Sequence, residues 1–190
     1  MLLRTHSDFK KPFIITGGPG AGKTTLINTL ANMGASAFDE VSRSLIEREL
    51  KSENPILPWT DLPSFADMCF REMDAQLHES QNNNQLTFLD RAIPDIVAYL
   101  RLGNEPHLAD SLVVPSGYQP TVFLCRPEKA IYSIDDVRPH PFAEALEIHE
   151  LLTNTYCQAG FRVLEVPWGP PAARADWVMS EVGATIPEGV

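Results

Sequence analysis

Residues 17–24 read Gly-Gly-Pro-Gly-Ala-Gly-Lys-Thr and match the phosphate-binding pattern G-x-x-x-x-G-K-S/T. The apolar run Phe-Ile-Ile-Thr at residues 13–16 precedes this loop. A helical pattern begins at Gly22, with Leu26 and Leu30 on its apolar face. A buried strand, a glycine-rich turn and a helix are the context that the motif requires. The stretch therefore predicts a binding site for a nucleoside triphosphate.

The chemistry of this loop follows from charge. Glycines let successive backbone N–H groups point inward, and the N-terminus of the following helix adds the positive end of its dipole. Lys23 is predicted to reach the β- and γ-phosphates, and the Thr24 hydroxyl to ligate a Mg²⁺ ion that bridges them. The alternative, a chance glycine turn before a helix, is disfavoured by the strand and helix on either side. The predicted nucleotide-binding residues of this segment are Gly17, Gly18, Pro19, Gly20, Ala21, Gly22, Lys23, Thr24 and Thr25.

Length and composition predict one α/β domain over residues 1–190, because 44% hydrophobic content supplies a sizeable core. The three cysteines, Cys69, Cys125 and Cys157, contain no C-x-x-C pair, so neither a zinc site nor a disulfide framework is expected. No apolar run approaches the roughly 18 residues of a membrane span, and the first residues are too polar for a signal peptide. A cytoplasmic location is the expectation.

The formal net charge is −10, from 25 acidic and 15 basic residues, with no cluster of lysine or arginine. This distribution argues against nucleic acid as a partner. Basic side chains that meet a phosphate must therefore be local. The candidates are Lys23, Arg91, Arg126 and Arg138.

Short β-type runs alternate with helical patterns along the chain, which predicts a parallel sheet covered by helices. Strands are predicted at residues 13–16, 35–38, 86–89, 121–124 and 162–166. Helices are predicted at residues 22–33, 40–50, 64–79, 93–102, 142–159 and 172–182.

Ligands of open parallel sheets bind beyond the carboxyl ends of the strands, so polar residues at those ends are candidates for the site. Asp90 follows the third strand and is predicted to hold Mg²⁺ directly or through water, as a Walker B carboxylate does. Alternatively, Asp90 caps the helix that starts near Ile93. Arg91 is predicted to contact a phosphate or the acceptor hydroxyl.

The second strand is followed by Asp39 and Glu40, either of which is a candidate general base for an attacking hydroxyl. The alternative is that these acids complement the dipole of the helix at residues 40–50. Arg43, one turn on, is either a phosphate contact or a solvated helix arginine.

Residues 126–141 are predicted to form a short lid, in which Arg126 and Arg138 bring positive charge onto the γ-phosphate while water is excluded. The alternative is that both are exposed loop arginines without a function. Trp168 follows the last strand and either stacks on the nucleotide base or packs over its proline-rich turn.

These motifs support a family resemblance, carried by the phosphate loop, by Asp-Arg-x-x-Pro-Asp at residues 90–95 and by Tyr-x-x-Asp-x-x-Arg at residues 132–138. The chain resembles the small AAA-domain P-loop proteins related to the nicotinamide riboside kinase domain of NadR. The resemblance implies a three-layer P-loop NTPase fold with sheet order 2-3-1-4-5, and ATP or GTP with Mg²⁺. The Asp90–Arg91 pair is also similar to the pair that faces the acceptor in thymidylate and deoxynucleoside kinases.

Two functions are therefore expected of this sequence. The first is a phosphotransferase that acts on a hydroxyl of a small, nucleoside-like metabolite. The second is a regulatory NTPase in which the triphosphate orders the lid, exposes a surface for a partner and is hydrolysed slowly.

Overall fold

The computed structural model describes residues 11–129 and 142–185. Its strands are β1 (Phe13–Thr16), β2 (Ser36–Phe38), β3 (Thr87–Asp90), β4 (Thr121–Cys125) and β5 (Arg162–Val166). Its helices are α1 (Lys23–Asn32), α2 (Val41–Glu49), α3 (Leu62–Gln81), α4 (Ile93–Leu102), α5 (Pro106–Ser111), α6 (Phe142–Gln158) and α7 (Pro171–Thr185). All strand pairs are parallel, and the sheet order is β2-β3-β1-β4-β5. The predicted fold class and sheet order are confirmed.

The predicted elements differ from the observed ones mainly at their ends. The third strand extends through Asp90 and the fourth through Cys125, so both residues lie inside the sheet and not after it. Helix α5 was not predicted, because its six residues make fewer than two turns and give no detectable periodicity.

The central strands are buried on both faces, which explains their continuous apolar sequence. Phe13, Phe88 and Phe123 each stand on a different strand, and their ring centroids lie 5.7 to 6.4 Å apart. Helices α1 and α7 cover this face with Leu26 and Val178 among their core residues. Full burial of each such side chain contributes about 2 kcal/mol to stability, so this cluster fixes the sheet on which the phosphate loop stands.

The opposite face of the sheet packs against α4 and α6 through residues such as Leu152 and Tyr156. A further cluster joins α2, α3 and α4, and contains Phe65, Cys69 and Met73 of α3. The parallel sheet order places the carboxyl ends of β3, β1 and β4 side by side. In the part of the chain that the structure describes, no helix has the length and apolar character needed to cross a membrane.

Candidate functional site

The phosphate loop joins β1 to α1 and contains two glycines with positive φ and a close neighbour. Gly17 has φ +145°, and a Cβ there would lie 2.3 Å from the carbonyl oxygen of Cys125. Gly22 has φ +73°, and a Cβ there would lie 2.7 Å from Nη1 of Arg174. Both positions have a positive φ that favours glycine. At Gly17 a side chain would also collide with the backbone of Cys125, whereas at Gly22 it would displace the end of the Arg174 side chain. The loop is thereby fixed between the end of β4 and helix α7.

Lys23 is the first residue of α1 and is buried, with 7% of its surface exposed. Its pKa is lowered, chiefly by burial and then by the charge of Arg91, while Glu40 and Asp90 act in the opposite direction. These interactions show that the predicted cation and two of the predicted acids share one electrostatic site. Thr24 is exposed, so its hydroxyl is accessible to a ligand.

Asp90 ends β3 and stands in register with Ile15 of β1. Its side chain is 4% exposed, and among the described residues nothing donates a hydrogen bond to its Oδ1. Burial raises the pKa of Asp90 to about 6, against the opposing charge of Lys23. A buried carboxylate oxygen without a donor suits a cation or an ordered water, and hard oxygen ligands are what Mg²⁺ prefers. Asp90 and the accessible Thr24 hydroxyl therefore fit the predicted ion.

The alternative role for Asp90, as the cap of α4, is wrong. Ala92 occupies the N-cap position, and its backbone N–H donates to Oδ2 of Asp95 at 3.0 Å. The first turn of α4 is thus stabilised by Asp95, and Asp90 is left for other chemistry.

Arg91 takes a left-handed conformation, with φ +71°, directly after β3. Its backbone N–H donates to the carbonyl of Ile15 at 2.9 Å. The buried guanidinium donates from Nε to Oε1 of Glu40 at 2.9 Å and from Nη1 to Oδ1 of Asp95 at 3.0 Å. A non-glycine residue in this conformation costs roughly 1–2 kcal/mol, which the surrounding contacts must offset.

Glu40 precedes α2, which begins at Val41, so it does not lie in the first helical turn as the dipole alternative assumed. Its carboxylate accepts from Ser42 Oγ at 2.8 Å as well as from Arg91. Burial would raise the pKa of Glu40, but the charges of Arg91 and Lys23 and these two hydrogen bonds hold it well below its usual range. Glu40 is therefore ionised at neutral pH.

The other predicted residues after β2 are less enclosed. Asp39 is exposed, and its backbone carbonyl accepts from Nε2 of Gln76 at 3.1 Å. Arg43 is 49% exposed and lies 3.7 Å from Glu47, so its observed state is that of a solvated helix arginine.

Arg126, the first residue after β4, is 59% exposed and its Nη1 lies 3.7 Å from Oε1 of Glu165. The other oxygen of Glu165 lies 3.1 Å from Nε2 of His149. Arg126 thus points to β5 in this structure. Arg138 and the other lid residues from 130 to 141 lie outside the described residues.

Sequence reasoning missed Arg174, which supports the phosphate loop from α7. Its guanidinium is 4% exposed and donates to the carbonyls of Ala21 and Gly22 at 3.2 and 3.3 Å. It also lies 5.3 Å from the ring centre of Trp168, which is 48% exposed. The available signal was its spacing, because Arg174 stands four residues before Val178 on the apolar face of α7.

Asp95 was also given no role from the sequence, although it lies in the quoted motif. It is 2% exposed and accepts the second hydrogen bond of Arg91. A polar residue in the first turn of a helix is common enough to carry no functional signal by itself. Only the fold reveals that Asp95 contacts the site.

Comparisons with known proteins agree with this fold. A family model described as an AAA domain matches residues 12–174. A search of curated proteins found no match. A solved structure of NadR in complex with NR is 20% identical with a TM-score of 0.66, and the match covers 96% of this chain and 54% of the NadR chain. The chain therefore spans about half the length of the NadR protein that it matches.

Two kinases of similar size share the fold. Deoxyadenosine kinase from M. mycoides is 13% identical with a TM-score of 0.61, and the match covers 90% of this chain and 98% of the kinase. Shikimate kinase from Aquifex aeolicus is 14% identical with a TM-score of 0.56, and the match covers 94% of this chain and 99% of the kinase. These similarities show a common P-loop kinase fold.

Proposed function

The chain belongs to the AAA-domain family whose model matches residues 12–174, and we propose that it is a kinase-like phosphotransferase that acts on a hydroxyl of a small, nucleoside-like metabolite. The observation that carries this proposal is that two half-sites adjoin at one end of the sheet, a phosphate half with Lys23 and Asp90 and an acceptor half with Arg91 and Glu40. Lys23 and Asp90 are buried beside the phosphate loop, and both interact electrostatically with the Arg91–Glu40 pair. A phosphate cradle alone would serve any nucleotide-binding protein, whereas the adjoining ion pair suits a second substrate.

The phosphate half of the site uses Lys23, Thr24 and Asp90. Backbone N–H groups of the loop and the Lys23 ammonium would bind the β- and γ-phosphates of ATP or GTP. Thr24 and Asp90 would hold Mg²⁺, which supplies positive charge to the phosphate oxygens. Arg174 would support this half of the site from α7, because its guanidinium donates to the carbonyl oxygens of both Ala21 and Gly22.

The acceptor half of the site uses Arg91 and Glu40. In the proposed reaction the acceptor oxygen forms a bond to the γ-phosphorus, and the bond from that phosphorus to the β–γ bridging oxygen breaks, so that the nucleoside diphosphate leaves with the electron pair. The hydroxyl proton passes to a carboxylate, for which Glu40 is the better placed candidate, and Asp39 the alternative. Arg91 would orient Glu40 and the acceptor by charged hydrogen bonds.

Three further residues, Trp168, Arg126 and Arg138, are proposed to contact the nucleotide. Trp168 is half exposed beside the phosphate loop, so its free ring surface is open to a nucleotide base. Arg126 would have to leave Glu165 to reach the γ-phosphate. The negative charge of a bound triphosphate would favour this movement of the arginine. Arg138 would join it from the lid.

The comparisons support a small acceptor. The structures that share the fold include kinases of deoxyadenosine, shikimate and thymidylate, and a NadR protein in complex with NR. In each case the name of the protein or complex includes a small molecule. The match to deoxyadenosine kinase over 98% of that chain supports an acceptor site built within a single domain of this size.

The test is a panel of nucleosides, vitamins and sugars, each incubated with Mg²⁺ and either ATP or GTP, with phosphorylated product and nucleoside diphosphate quantified together. The proposal expects at least one compound to yield product in a one-to-one ratio with the diphosphate. Slow hydrolysis that no compound stimulates would overturn the kinase proposal and favour the nucleotide-switched regulator.

A further inference from the structure

Asp95 lies at the centre of a buried hydrogen-bond network that joins three parts of the fold. Its Oδ1 accepts from Thr16 Oγ1 at 2.6 Å and from Arg91 Nη1 at 3.0 Å. Its Oδ2 accepts from the backbone N–H of Ala92 at 3.0 Å and from the Tyr156 hydroxyl at 2.5 Å. Thr16 ends β1 directly before the phosphate loop, and Tyr156 stands on α6. One carboxylate thus contacts both half-sites and helix α6.

The network leaves Asp95 no capacity for a ligand. A carboxylate offers about four lone-pair positions, and the four hydrogen bonds of Asp95 occupy that number. Asp95 is also only 2% exposed. Asp90, five residues earlier, has a buried oxygen with no donor among the described residues. The two aspartates are therefore chemically different: Asp90 is free to bind an ion, whereas Asp95 can act only on its neighbours.

The neighbour that depends most on Asp95 is Arg91. The guanidinium is held between two carboxylates, Glu40 at Nε and Asp95 at Nη1, while its backbone is left-handed. Two directed bonds from different edges of a planar group fix both its position and its plane. Without Asp95 the guanidinium would keep its bond to Glu40 and its place beside the Tyr99 ring, but it would lose the bond at Nη1 that fixes its plane relative to Glu40.

We propose that Asp95 is a positioning residue, which sets Arg91 and through it Glu40 for the acceptor, and couples that setting to the phosphate loop through Thr16. This assignment rests on the proposed function only in placing Arg91 and Glu40 at the acceptor. The hydrogen bond from Tyr156 extends the coupling to α6, so a shift of that helix would reach Arg91 through one side chain.

The first test is independent of catalysis and uses the side-chain Nε–H signal of Arg91 in a ¹⁵N NMR spectrum, assigned by its loss in R91K. In the wild type this proton is buried and bonded to Glu40, so its exchange with water should be slow. In D95N we expect the signal to shift and its exchange to speed up by about tenfold or more. The matched control is D110N, because Asp110 also pairs with an arginine, Arg101, but is 69% exposed.

The second test measures kinetics with the acceptor found in the panel. D95N should lower kcat/KM for the acceptor about 10- to 100-fold, while the Kd for the nucleotide changes by no more than about threefold. A merely structural role would lower the amount of folded protein without separating these two parameters. Parallel losses of nucleotide and acceptor binding, or an unchanged Arg91 signal in folded D95N, would overturn the proposal.

The milder variant Y156F keeps the carboxylate and removes one of its four donors. It should give a smaller change of the same kind, with faster exchange at Arg91 and a loss of kcat/KM of about threefold. If D95N does not fold, the same measurements on Y156F test the proposal. An Arg91 Nε–H signal, an exchange rate and a kcat/KM equal to those of the wild type would then show that Asp95 contributes to stability alone. If no compound of the panel is phosphorylated, the proposed function fails while the NMR result still tests the positioning of Arg91.

Discussion

Arg91 donates a hydrogen bond from Nε to Oε1 of Glu40 at 2.9 Å and so joins the turn after β3 to the start of α2. The two residues are 51 positions apart in the sequence, and both are largely buried. The bond keeps Glu40 ionised and fixed in direction, so that its carboxylate can orient a hydroxyl by accepting its hydrogen bond. Its low pKa also means that the pH of the solution does not switch Glu40 near neutrality.

Replacing Glu40 by Gln should therefore have a stability effect that depends on pH. The pKa of Glu40 is lowered by folding, so its contribution is fully present above its ordinary value of 4.5 and is lost as the pH falls toward the lower, folded value. We expect E40Q to be less stable than the wild type by about 1–2 kcal/mol at pH 7, with a difference that narrows below about pH 4.5. Urea unfolding at a series of pH values measures this difference.

The control for this experiment is E47Q, because Glu47 also pairs with an arginine but is 68% exposed. Its difference from the wild type should stay within about 0.5 kcal/mol at every pH. In kinetic assays, E40Q should lower kcat more than it weakens nucleotide binding. The proposed role of Glu40 would be contradicted if the stability difference between E40Q and the wild type did not change with pH. Equal losses of kcat and nucleotide affinity in E40Q would contradict it as well.

Lys23→Ala should abolish phosphoryl transfer without unfolding the protein. In the proposed reaction the ammonium is the point charge that reaches the phosphates, so its loss should reduce kcat about 10³-fold or more. Because burial lowers the pKa of Lys23, its charged form gains little in the nucleotide-free fold, so stability should change by no more than about 1 kcal/mol. Lys51→Ala, at an exposed position, is the control and should retain full activity. Undiminished transfer by K23A would refute the proposed role.

Asp90→Asn should separate the Mg²⁺ contribution from that of the nucleotide. The Asp90 oxygen without a donor makes no hydrogen bond that the substitution would break, so nucleotide-free stability should be preserved. Thermal stabilisation by ATP should increase with Mg²⁺ in the wild type and in D110N. The variant D90N should need about 10- to 100-fold more Mg²⁺ for the same increase. An unchanged Mg²⁺ dependence in D90N would show that the ion is held elsewhere.

Two glycines offer a matched test of how α7 supports the phosphate loop. Gly22 and Gly34 both have positive φ, +73° and +97°, but a Cβ meets Arg174 at 2.7 Å only at Gly22, and nothing within 4 Å at Gly34. G34A should cost about 1 kcal/mol from backbone strain alone. G22A should cost more and should also weaken nucleotide binding, because the added carbon displaces Arg174 from the loop carbonyls.

Denaturant unfolding and nucleotide titration of both variants measure the comparison. Adding R174A to G22A should cost less than the sum of the single changes, since both remove the same contact. Equal stability losses for G22A and G34A, with nucleotide affinity intact in both, would show that Arg174 does not support the loop.

The sequence by itself predicted the features that are encoded locally. A glycine-rich turn between an apolar strand and an amphipathic helix specifies its conformation within about 20 residues, so Lys23 and its loop were identified directly. The sheet order followed from the family resemblance. The role proposed for Asp90 came from its place at the end of an apolar run, and it stays a prediction. Among the secondary-structure predictions for the described residues, the errors lay at the ends of elements and at the short helix α5, where periodicity is weakest.

Tertiary structure alone decided which side chains meet. The Arg91–Glu40 pair joins residues 51 positions apart, the Tyr156–Asp95 bond spans 61, and the Arg174–Ala21 bond spans 153. No local pattern specifies such contacts, because they depend on the order of strands in the sheet and on the packing of α6 and α7 against it. The sequence determined a phosphate cradle, and the fold determined that a buried, fully hydrogen-bonded Asp95 connects that cradle to the Arg91–Glu40 pair beside it.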